Sequence, residues 1–184
     1  MERLTDKLSG DEMGNTAYPH KELFDGAVIR FHSFLIEKKD EKLDLPEGDP
    51  EEGGQEEEKE AQIVIDFISN NRLNESGFDS LKEFMTYIKF YVGKVTKLIK
   101  ANPPAGWDED SWKQGTLNFV NFLKTNFKGL QFFTGESRAC QEGSYVFALD
   151  MDPEEAEKEG RAYDPAKNGP DCFVLKHAFN IEKC

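Results

Sequence analysis

Residues 127–137 read Phe-Lys-Gly-Leu-Gln-Phe-Phe-Thr-Gly-Glu-Ser, an aromatic strand that runs into a turn. Gly135 supplies backbone freedom at that turn, whereas no turn rule asks for an acid at Glu136. Two roles fit Glu136: a carboxylate that bonds neighbouring backbone N–H groups and fixes the turn, or a contact for a partner. The residues alone leave both open.

Upstream the spacing is helical. Trp112, Thr116, Phe119, Val120, Leu123 and Phe127 recur at steps of three or four after Trp107-Asp108-Glu109-Asp110, whose acids suit the positive end of a helix dipole. An earlier stripe, Leu81, Phe84, Ile88, Tyr91, Val95 and Leu98, follows Asp79-Ser80, with Ser80 and Glu83 at capping-box spacing. Asn102-Pro103-Pro104 separates the two, which predicts an antiparallel helical hairpin over about 79–127. Eight lysines and five acids lie between Phe78 and Gly129, so the hairpin carries about +3 while the remainder carries about −16. A face of that sign is suited to an acidic partner.

Strand patterns surround the hairpin. Residues 22–37 hold the turn pair Asp25-Gly26 and then alternate, with Val28, Arg30 and His32 on one face and Ile29, Phe31 and Ser33 on the other, so either face can be the buried one. His32 is expected to be a satisfied sheet residue. Residues 61–68, Ala-Gln-Ile-Val-Ile-Asp-Phe-Ile, predict a mostly buried strand, and 143–151 and 172–184 predict further strands. The stretch 151–171 reads as a polar loop. Residues 37–60 hold 12 acids and 4 lysines, with almost nothing to bury, and predict a flexible acidic loop over about 38–60. The fold class is α+β, and one domain over 1–184 is expected from a chain of 184 residues.

Composition narrows the function. A net charge of −13 argues against nucleic acid and membrane surfaces as partners. The charged start, Met1 to Met13, has no signal-like apolar run, and no stretch is apolar enough to span a bilayer, so a cytoplasmic protein is expected. Three cysteines, Cys140, Cys172 and Cys184, form no C-x-x-C pair, which disfavours structural zinc and a disulfide framework. His20, His32 and His177 lie far apart, no phosphate loop occurs, and Gly135-Glu136-Ser137 lacks the flanking glycine of a nucleophile elbow. A non-enzymatic protein is expected.

Phe127 to Glu136, in the pattern F-x-x-x-x-F-F-T-G-E, together with Glu142-Gly143, Asp11-Glu12-Met13 and the closing Glu-Lys-Cys, resembles the translationally controlled tumour protein family. The resemblance runs over nearly the whole chain. It departs at Gly53-Gly54-Gln55, where the family's loop signature is reduced, and in 151–171, which is longer than usual. It implies a tent of small mixed β-sheets with a projecting helical hairpin, and a cytosolic protein in growth and survival control that acts through partners. The implied partners are a Ras-type, Rheb-like GTPase at a surface patch of Glu12, Leu73 and Glu136, and tubulin at the basic hairpin. Exchange-factor activity is implied by the resemblance alone. It also implies weak calcium binding at Gln55 and Gln131, and a disulfide-linked dimer through Cys184. Low-affinity calcium binding as the main role, and a thiol-dependent reductase on a similar fold, are the alternatives.

Overall fold

The computed structural model describes residues 1–38, 62–139 and 142–184. The acidic loop expected over 38–60 lies outside them from residue 39 on.

The organising strand is β4 (Val28–Lys38). Its first half is buried on both faces, so the alternative of one wet and one dry face is replaced by two covered faces. It pairs antiparallel with β3 (His20–Leu23) on one side and β9 (Asn168–Leu175) on the other, and its far half takes β5 (Gln62–Ile65). From β9 the sheet continues through β8 (Val146–Leu149) and β7 (Gln131–Thr134) to β6 (Asn74–Ser76). A second sheet orders β10 (Phe179–Lys183), β1 (Glu2–Asp6) and β2 (Glu12–Asn15). All pairs among the described residues are antiparallel, and with the helices they make an α+β fold.

Three expectations change, and two strands appear where none was expected or excluded. The segment 61–68 is an exposed edge strand, with Ile63 66% exposed, and it gives way at Asp66 to a short helix, α1 (Asp66–Asn70). Asp66 accepts from its own helix through Phe67 N and from Phe34 N of β4, so one carboxylate stops the strand and anchors the helix. The polar stretch 151–171 contains a helix, α4 (Pro153–Lys158), capped by Asp152 and seated on buried Met151 and Ala156. The C-terminal strand is two strands in two different sheets, parted by a 3-10 turn at Lys176–Ala178. The charged N-terminus forms β1 and β2, whose alternation is too short to stand out.

The hairpin forms as its spacing predicts. Helix α2 (Leu81–Ala101) starts at Ser80, whose Oγ accepts from Glu83 N at 3.1 Å, while Glu83 Oε2 accepts from Asp79 N at 3.0 Å. Its buried stripe is Phe84, Tyr87, Ile88, Tyr91, Val95 and Ile99; the 3.6-residue period shifts the last contact from Leu98 to Ile99. Helix α3 (Glu109–Thr125) is capped by Asp108, and Trp112 Nε1 donates to Thr96 Oγ1 of α2 at 2.9 Å. Phe84, Phe132, Phe147 and Phe119 link both helices to the large sheet through a chain of ring contacts.

Two constraints hold the layers in place. At Gly115 a side chain would overlap the Phe24 carbonyl oxygen, so α3 lies directly on the turn between β3 and β4. That turn runs through Phe24, Asp25 and Gly26 at φ 53°, 55° and 79°, and the Phe24 ring meets Phe119 and Phe122 of α3. The Asp6 carboxylate, 1% exposed, accepts from Leu8 N, Ser9 N, Ser9 Oγ, Ser144 N and Ser144 Oγ. Tyr91 in turn donates to Ser144 Oγ at 2.8 Å, so the small sheet, the approach to β8 and α2 share one network.

Gly115→Ala should therefore lower stability by about 1–3 kcal/mol, although alanine is favoured over glycine in a free helix by roughly 1 kcal/mol; a stabilised variant in urea unfolding would refute the close approach. Asp6→Asn replaces an acceptor by a donor facing several N–H and O–H groups and should cost about 3–5 kcal/mol. A change below about 0.5 kcal/mol, within the scatter of ordinary surface substitutions, would mean the network is not structural.

Candidate functional site

Three separate segments of chain meet at the turn that follows β7. Strand β6 pairs Asn74 with Thr134 and Glu75 with Phe133, which brings Arg72 to Ser76 alongside. Asn74 Nδ2 donates to the Gly135 carbonyl at 3.0 Å, and Arg138 Nε donates to Asn74 Oδ1 at 3.3 Å. Arg72 Nη1 donates to Glu136 Oε1 at 3.3 Å. From the other side, Asp11 Oδ2 accepts from Ser137 Oγ at 2.5 Å and from Ser137 N at 3.3 Å.

Gly135 is needed here for a different reason from the one its turn suggests. Its φ is not in the left-handed region; a side chain would instead collide with the Asp11 carboxylate. The left-handed residues are Arg72 and Arg138, at φ 53° and 55°. Both guanidinium-bearing residues therefore stand at sharp backbone corners on either side of Glu136.

That geometry answers the question Glu136 raised. The carboxylate that fixes the turn belongs to Asp11, which takes the backbone N–H of Ser137. Glu136 pairs with Arg72 and is 66% exposed, so its bond to the fold is a solvated ion pair worth about 0–1 kcal/mol.

Glu12 lies in β2, 51% exposed, with Oε2 at 3.7 Å from Arg3 Nη1. Leu73 is 9% exposed and belongs to the hydrophobic core, so the solvent-facing members of its segment are Arg72 and Glu75. The surface around Glu12 and Glu136 alternates in charge: each glutamate stands beside an arginine, and Arg138 follows within the turn. Arg72, Asn74 and Arg138 were not singled out from sequence, and Asp11 entered only as part of the motif Asp11-Glu12-Met13. A signal existed for one of them: counting by two from buried Met13 points Asp11 inward and Glu12 outward.

The remaining candidates scatter. Gln131 is exposed at the start of β7, where it sits opposite Ala148; Gln55 lies outside the described residues. Among the described residues no group of three or more His, Cys, Asp or Glu is placed to hold a metal ion. Cys172 is buried in β9, and burial pushes its thiol far up, so it is not an accessible thiolate; Cys140 is outside the described residues. Cys184 is exposed, with its N–H donating to the Met1 carbonyl at 3.2 Å beside the small sheet. His32 is a satisfied sheet residue: Nδ1 bonds Asp171 at 3.2 Å and Nε2 accepts from Asn168 at 3.0 Å. No helix among the described residues is long and apolar enough to cross a membrane.

Comparison with known proteins agrees with the fold. The chain is 24% identical to a translationally controlled tumor-associated protein of Schizosaccharomyces pombe, with a TM-score of 0.74 over 100% of both chains. A translationally-controlled tumor protein of Caenorhabditis elegans gives 24% identity and a TM-score of 0.66, over 100% of this chain and 99% of that one. These two likenesses concern the fold. In sequence, a translationally-controlled tumor protein homolog of Aedes albopictus is 31% identical over 138 residues, 74% of this chain and 79% of its own length. One of Kluyveromyces lactis is 33% identical over 136 residues, 72% of this chain and 78% of its own. The model of the family described as translationally controlled tumour protein matches residues 1–155, and the chain belongs to that family.

Proposed function

We propose that this protein is a non-enzymatic cytosolic adaptor that meets a small Ras-type, Rheb-like GTPase through the surface where 11–12, 72–75 and 134–138 converge. The observation that carries the reading is the pairing there of exposed ions on a rigid base. Glu12 and Glu136 hold their arginines in solvent, while Asp11, Gly135, Asn74 and Ser137 lock the backbone beneath them. Exposed ion pairs exchange partners at little cost, so a protein with complementary charges can take over either member. A preorganised backbone lowers the ordering cost of such an encounter.

The basic helical hairpin is the second surface of this reading, for an acidic partner such as tubulin. Lys82, Lys89, Lys97 and Lys100 of α2 are exposed, and Phe90 stands 62% exposed with the Lys94 ammonium 4.7 Å from its ring centre. A cation-rimmed aromatic gives an acidic segment both charge and an apolar anchor.

Charge reversal at Glu12 or Glu136 should leave stability within about 0.5 kcal/mol, because each loses only a solvated pair. It should slow association with a Rheb-like GTPase on the order of tenfold at low salt and much less at physiological salt. Stopped-flow association rates at both salts test this, and unchanged rates for Glu12→Lys and Glu136→Lys would remove the surface from the interface. For Cys184, oxidation should yield a covalent dimer on non-reducing gels that Cys184→Ser abolishes; a dimer persisting in that variant would assign the link elsewhere.

A further inference from the structure

Beside β3, β4 and the end of α4 a cleft of about 450 Å³ concentrates positive charge in a protein whose net charge is −13. It is lined by His20 and Lys21 of β3, Arg30 and His32 of β4, and Lys158 and Arg161 at and beyond the end of α4, with Glu159 the acid among its lining residues. Lys21 is the direct cross-strand neighbour of Arg30, a like-charge placement that is unfavourable unless an anion lies between them.

Glu159 supplies only part of that anion. Arg30 grips it through both terminal nitrogens, at 3.0 and 2.7 Å, and those bonds hold its carboxyl below the usual carboxylate range. Arg161 is anchored at 3.2 Å to Asp171, which also bonds His32. Its buried Nε is ion-paired with Glu159 Oε2 at 3.1 Å but makes no well-aligned hydrogen bond there, so Glu159 satisfies its charge better than its proton. Lys21 acts on Glu159 through charge alone, without a hydrogen bond between them, and Lys158 stands at the rim shared with the neighbouring cleft. The neighbouring cleft shares Arg30, Lys158 and Glu159 but adds Asp150, Asp152, Glu155 and Asp171, so the side of the cationic cleft away from Lys21 is acidic.

We propose that this cleft binds a soluble small molecule carrying a phosphate or diphosphate group, with Lys21, Lys158 and Arg161 as its contacts. The volume suits a small ligand. The overall negative charge is no obstacle: charges farther off than about 8 Å are screened at physiological salt, so a small anion senses chiefly the cleft, whereas a long polyanion senses the whole surface. Lys158, Glu159 and Arg161 lie past residue 155, where the match to the family model ends, so the family model does not describe these three lining residues.

Inorganic pyrophosphate, titrated into the 184-residue chain at physiological salt, is the probe. In NMR spectra of the unaltered protein, the side-chain signals of His20, Lys21 and Arg161 should shift together. By calorimetry, Lys21→Glu with Lys158→Glu should weaken binding by about tenfold or more, and Lys158→Gln by less, while Lys94→Glu with Lys97→Glu on the hairpin should change it by less than about twofold. Vesicles containing a phosphoinositide serve as the lipid arm. No pyrophosphate binding, equal weakening by the hairpin variant, or binding to the vesicles alone would each overturn the proposal.

Discussion

A carboxyl group almost sealed from water must be surrounded by donors, and at Asp6 the donors come from two distant parts of the chain. Leu8 and Ser9 fold the loop after β1 around it, while Ser144 reaches in from the approach to β8. The same loop is closed by Asp6 N donating to the Asp11 carbonyl at 2.8 Å, which sets where Asp11 emerges. Asp11 then fills the space that Gly135 leaves open and takes Ser137. The position of the turn that carries Glu136 thus depends on a buried carboxylate more than a hundred residues earlier, through a chain of short contacts.

The hairpin and the sheet are joined by another kind of constraint. Phenylalanines from α2, α3, β7 and β8 touch in series, and Gly115 lets α3 settle onto the backbone of the β3–β4 turn. The helices are therefore held by their inner faces, and their outer faces keep the lysines in water. The protein separates its charges by element: a basic outer helix, a surface of paired opposite ions at the β7 turn, and a cationic cleft under the end of α4. Each surface differs in sign and depth, which suits it to a different class of partner.

Much of this was legible in the residues. The hairpin declared itself through apolar steps of three and four and through Ser80, Glu83 and Asp108 at its helix starts, because caps and periodicity are local properties. The α+β class followed from the order of patterns, whereas Glu12 and Glu136 came from the family resemblance and their contact role is a proposal. What stayed hidden depends on contacts between distant residues. Gly135 looked like a turn glycine, yet its need is steric and comes from Asp11. Leu73 was expected at the surface and lies in the core, since the tight turn at Arg72 swings it inward and leaves the arginine outside. The apolar run 61–68 promised a buried strand, but Asp66 ends it and starts a helix by taking two backbone N–H groups. Arg30, Glu159, Arg161 and Asp171 are spread over three elements, and no spacing rule could gather them.

The central claim is that a partner engages the converging segments beneath Glu12 and Glu136. Amide hydrogen exchange of the protein alone and with a saturating Rheb-like GTPase measures this directly. The account predicts added protection across 11–12, 72–75 and 134–138, with the helical hairpin unchanged. Protection confined to α2 and α3, with those three segments exchanging as in the free protein, would contradict it.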